Sequence, residues 1–146
     1  MKTYTLLILS LLIFSCNNSS EEKTVETKTE NHADHKSETL HLNNTNKWKV
    51  VPDMMAYIVY MKEDIAKFEG KNLEDFQNLA TDLLINVDLL TANCTMKGEA
   101  HDQLHVWLVP YIELINKFAN ETELVEKKNL FKDLEKSFDV LGDFFE

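Results

Sequence analysis

The chain has 146 residues, with 25 acidic and 15 basic side chains and a formal charge of −10, and every basic residue is a lysine. Without arginine there is no bidentate guanidinium for phosphate or carboxylate. The acidic excess argues against a nucleic-acid partner and concentrates cations instead.

Residues 1–16, Met-Lys-Thr-Tyr-Thr-Leu-Leu-Ile-Leu-Ser-Leu-Leu-Ile-Phe-Ser-Cys, place one charge before an apolar run from Leu6 to Phe14. That run is too short for a permanent membrane helix and suits the core of a secretory signal. Ser15 directly before Cys16 resembles the lipobox of bacterial lipoproteins, with Ile13 where the family usually has leucine. The resemblance implies a signal peptide over 1–15 and an acylated Cys16 as the first mature residue. It also implies attachment to the cell envelope of a Gram-negative bacterium. Because Asn17 and Asn18 follow Cys16 rather than Asp, the periplasmic face of the outer membrane is preferred. Losing Lys2 with the signal leaves 14 lysines against 25 acidic residues, a charge of −11. With Cys16 lipidated, Cys94 has no partner for an intramolecular disulfide.

Residues 16–41 are rich in Asn, Ser, Glu, Lys and Thr, with too few apolar side chains to offset their ordering entropy. A disordered tether is expected there. Its His32, His35 and His41, with Asp34, are candidates for a weak auxiliary cation-binding arm. Residues 42–52 read as an extended lead-in that packs Trp48 on the domain. Pro52 and Asp53 then open the first helix, aspartate being a favoured cap.

Residues 53–146 carry the helical period in four stretches. Met54, Ile58, Met61, Ile65 and Phe68 form one apolar stripe that ends at Gly70. Leu73, Phe76, Ala80, Leu83, Val87, Leu90 and Cys94 form the second, ending near Gly98. His101, Leu104, Leu108, Tyr111, Ile115 and Phe118 form the third. Leu124, Phe131, Leu134, Phe138, Leu141 and Phe145 form the fourth. Stripes of this kind joined by short connections predict an all-α, up-down-up-down four-helix bundle. Pro110 should kink or split the third helix.

Between the second and third stripes lies Cys94-Thr-Met96-Lys-Gly-Glu-Ala-His101-Asp-Gln-Leu-His105, with two sulfurs and two imidazoles in twelve residues. Four residues apart on a helix, His101 and His105 share one face, and Gly98 lets the chain turn back toward Cys94. Alternating helix directions would bring Met54 and Met55 to the same pole. Thiolate, thioether and imidazole favour copper, with zinc a competitor that gains little from methionine. Glu99 or Asp102 could orient a ligating histidine.

Each of these residues also has an ordinary structural explanation. Cys94 can be a small buried hydrophobe, the methionines can be core filler, and Glu99 and Asp102 can complement the helix dipole. Trp107 is expected to pack between helices. Haem held between Met54 and His101 or His105 is a rival reading, though CxxCH is missing. No phosphate loop, nucleophile elbow or HExxH motif argues for catalysis.

The segment from Cys94 to Trp107 is similar to that of a group of small bacterial lipoproteins with a helical domain. That resemblance implies the anchor and the fold and assigns no activity. The sequence therefore predicts a non-enzymatic, membrane-tethered metal-binding protein that handles copper by sequestration, sensing or delivery. A structural lipoprotein that docks another envelope protein is the alternative.

Overall fold

Residues 39–146 are described in a computed structural model of the protein. The signal segment, Cys16, the tether through residue 38, His32 and His35 lie outside the described residues. Four helices follow one another: α1 (Pro52–Ala66), α2 (Leu73–Ala92), α3 (Glu99–Asn120) and α4 (Leu124–Phe144). Each packs on its neighbour in the chain, and α1 also packs on α4, so the four close into a bundle. Among the described residues β-pairing is limited to two isolated bridges, Asn43 with Asn46 and Trp48 with Phe145.

The apolar stripes explain this arrangement. Met54, Ile58, Met61 and Ile65 of α1 are buried, as are Phe76, Ala80, Leu83, Val87 and Leu90 of α2. They meet Leu104, Leu108, Tyr111, Ile115 and Phe118 of α3 and Leu134, Phe138 and Leu141 of α4 in one core. Trp107 stacks on Tyr111 at a centroid distance of 4.7 Å and donates its indole N–H to the Ser137 carbonyl at 2.9 Å. It thus packs between α3 and α4, as expected. Trp107 near one end of α3 meets Phe138 of α4, whereas Phe118 near the other end lies beside Lys127. The two helices therefore run in opposite directions.

Helix boundaries follow local chemistry. Pro52 occupies the first turn of α1, where its missing N–H costs no hydrogen bond, and Val51 is the N-cap without a side-chain bond. Asp53 contributes charge inside the first turn rather than capping it. Helix α2 begins with a capping box: Asn72 accepts from the Asp75 N–H at 3.0 Å, while Asp75 accepts from the N–H of Asn72 at 3.2 Å. Between α1 and α2, the Phe68 ring folds over Gly70, where any β-carbon would collide with it. Phe68 then meets Phe76 and Phe131 at 4.8 and 5.2 Å and seals that pole.

Two expectations are narrowed. Of the two outcomes expected at Pro110, a split does not occur, since α3 runs continuously from Glu99 to Asn120. Pro110 sits on the exposed side, where water can serve the carbonyl that loses its donor. The docked chain also begins earlier than residue 42. Leu40 packs against the core, and the His41 main-chain N–H donates to Gln103 Oε1 at 3.0 Å.

The lead-in forms a strap. Trp48 is buried and its indole donates to the His41 carbonyl at 2.6 Å. The Trp48 N–H donates to the Phe144 carbonyl at 2.8 Å, and the Val50 N–H to that of Glu146 at 2.9 Å. The strap thus ties the start of α3 to the end of α4.

Candidate metal centre

Helix α2 ends at Ala92, so Cys94 stands just beyond it, half-buried against the core rather than within a helical stripe. The chain turns at Gly98, whose φ of 67° lies in the left-handed region that glycine adopts without strain. Helix α3 then starts at Glu99 with no side-chain cap, and the Gly98 carbonyl accepts from the N–H groups of His101 and Asp102 at 2.9 and 3.1 Å. This turn carries the histidines back over the end of α2.

The result is a contact between Cys94 Sγ and His101 Nδ1 at 3.4 Å. Depending on the imidazole tautomer, either the thiol donates to the ring or the ring N–H donates to sulfur. His105 lies one turn further along, its ring centroid 4.2 Å from that of His101 at an interplanar angle of 48°. Both imidazoles are half-buried. One thiol and two imidazoles therefore gather where α2 ends and α3 begins.

The spacing of the closest pair can be tested against metal geometry. Zinc bonds of about 2.3 Å to sulfur and about 2.0 Å to nitrogen, meeting near the tetrahedral angle, set the two donors roughly 3.5 Å apart. The observed 3.4 Å is close to that value. Among the described residues, however, no group of three or more His, Cys, Asp and Glu side chains is arranged to hold an ion.

The methionines are less committed. Met96 is buried at 8 % exposure two residues after Cys94, and Met54 is enclosed in the core at 1 %. Met55 is half-buried against the same core. Apolar packing accounts for all three. His41 does not join the pair. It engages Gln103 through its backbone, meets the Trp48 ring at 6.0 Å and lies 3.8 Å from Glu99 Oε1. Gln103 is two residues from His101 and two from His105, a rotation of about 200° on a helix, so the strap holds the opposite flank of α3. Glu99 likewise serves His41 here rather than a ligating histidine.

Two buried polar residues escaped the sequence reading. Gln103 is 2 % exposed and Lys127 fully buried. The ammonium of Lys127 donates to Gln77 Oε1 at 2.8 Å and to the carbonyls of Glu121 and Ala119 at 3.1 and 3.5 Å. It therefore satisfies the free carbonyls at the end of α3. Burial lowers its pKa, and the nearby Glu121 partly opposes that shift. The gap from Leu124 to Phe131 in the fourth stripe, with Lys127 at the missing position, was the available signal. Gln103 shares the register of Trp107 and Tyr111.

Comparison with known protein families, with curated proteins and with solved structures finds no match. No helix among the described residues is long and apolar enough to cross a membrane.

Proposed function

We propose that the protein is a lipid-anchored protein of the bacterial envelope whose helical bundle binds a soft transition metal, copper first, in sequestration, sensing or delivery. The observation that carries this reading is the convergence of Cys94 Sγ on His101 Nδ1 at 3.4 Å with the His105 ring against His101. Cys94 would supply a thiolate and His101 an imidazole nitrogen; His105, whose ring packs on that of His101, and the Met96 thioether would join them only after a side-chain rearrangement. Met54 and Met55 remain secondary candidates. A thiolate paired with one imidazole suits Cu(I), which accepts two ligands, better than Zn(II), which favours four. Half-burial at the end of a bundle leaves the ion open to exchange with a partner, which delivery requires. The lipobox-like residues before Cys16 and the acidic surface support an anchored, cation-attracting protein.

The second reading is a packing or interaction module. The same 3.4 Å contact is an ordinary sulfur–imidazole hydrogen bond, which supports it. Anaerobic titration of the full chain in mild detergent with Cu(I), Cu(II), Zn(II) or haem separates the two readings. Near one equivalent of Cu(I), lost in Cys94→Ala and His101→Ala, is the expected result. No tight ion, or binding indifferent to both substitutions, leaves the packing reading standing; a Soret band would instead favour haem. Cys16→Ser should release the chain from the membrane fraction.

A further inference from the structure

We infer that Gln103 and Trp48 are positioning residues for the metal centre, and that docking of the residue 41–48 strap and ion binding strengthen one another. This rests on the metal-binding reading above. The first turn of α3 has no side-chain cap of its own, because its N-cap is Gly98. Helix ends without a cap fray, and a frayed turn would separate His101 from Cys94.

On one flank, the turn is held by the Cys94 contact. On the other, buried Gln103 accepts the His41 N–H at 3.0 Å, and the His41 carbonyl is fixed by the Trp48 indole at 2.6 Å. The His41 ring adds its edge contact with Trp48 and its approach to Glu99, the first residue of α3. Ion and strap would thus hold the first two turns of α3 from opposite sides. Two ligands that order one element raise each other's affinity reciprocally, with no contact between them.

The test uses the full chain in detergent, with Cu(I) itself delivered anaerobically against a chromophoric Cu(I) chelator. Gln103→Met keeps side-chain size and removes the acceptor. Trp48→Phe keeps a buried aromatic ring while removing the indole donor and part of the ring's bulk, so Gln103→Met is the primary test and retained helical circular dichroism is required of both variants. Each substitution is expected to weaken Cu(I) binding about tenfold, within the usual span of coupling between sites. Reciprocally, under conditions where the His41 amide exchanges faster than the core amides of α2, and so through opening of the strap rather than of the whole fold, Cu(I) should slow its exchange in the unsubstituted protein, a change that a purely structural role for the strap would not produce. Unchanged affinity in both variants together with unchanged His41 exchange would overturn the coupling while leaving the metal centre intact. Failure of the unsubstituted protein to take up Cu(I) would remove the metal centre, and this inference with it.

Discussion

Tyr111 presents a cost inside the core that a single atom can relieve. Its hydroxyl is buried and has no hydrogen-bond partner among the described residues, and burial followed by the charge of Asp64 raises its pKa. An orphaned hydroxyl costs roughly 1–3 kcal/mol, whereas its removal leaves a well-packed ring beside Trp107 and Phe138. Tyr111→Phe is accordingly expected to raise stability by about 1 kcal/mol in urea denaturation. A loss of similar size would show that the hydroxyl is satisfied in solution. Lys127 is the opposite case, since all its hydrogen bonds are inside the protein. Lys127→Ala would strand the Gln77 amide oxygen and two carbonyls and remove the stem packed near Phe118, a loss of about 3 kcal/mol. Lys127→Met, which keeps the stem, should cost less in the same measurement. The sequence made Cys94, His101 and His105 legible as neighbours, because their spacing on a helix and across a glycine turn is a local property. It concealed Lys127 and Gln103, because a polar residue in an apolar register reads as a gap until its distant acceptor or donor is known.

Helix α2 owes its start to the Asn72/Asp75 box, and that start depends on pH. The N–H of Lys71, followed by that of Asn72, donates to the Asp75 carboxylate and lowers its pKa below the ordinary 3.8. A carboxyl whose folded pKa is depressed contributes stability that is complete above 3.8 and is lost as pH falls through the depressed value. Asp75→Ala should therefore lower the melting midpoint at neutral pH, with the difference from the unsubstituted chain closing in stronger acid. Melting curves on both proteins across the acid range check this. Asn72→Ala removes the other half of the box and should cost about 1 kcal/mol at neutral pH. The four helices themselves were legible because each stripe recurs every three or four residues and no strand alternation competes. The continuous α3 was not, since proline disrupts a helix by removing a donor and crowding a carbonyl, and how far exposure relieves that depends on the bundle. The strap was misjudged at His41 for a related reason. Its docking uses a backbone N–H, which any residue other than proline possesses and which no side-chain pattern announces.

An ion at Cys94 and His101 would join the end of α2 to the start of α3 across a turn that has no other side-chain cap. Donors brought together only by folding make binding free energy a contribution to folding free energy. At a free Cu(I) concentration one hundred times the dissociation constant, the folded chain gains about 2.7 kcal/mol over an unfolded chain that does not bind. For a domain of about 100 residues, that gain raises the melting midpoint by roughly 10–20 °C. Scanning the full chain in detergent with and without Cu(I) should show this rise, its reversal by a Cu(I) chelator and its loss in Cys94→Ala. Magnesium, which the acidic surface attracts without soft donors, should raise the midpoint far less and lose its effect as salt is added. The two responses separate general cation attraction from a built site. Copper that binds tightly and leaves the midpoint unmoved would mean that the unfolded chain holds it equally well, so that the bundle adds nothing to the donors it gathers.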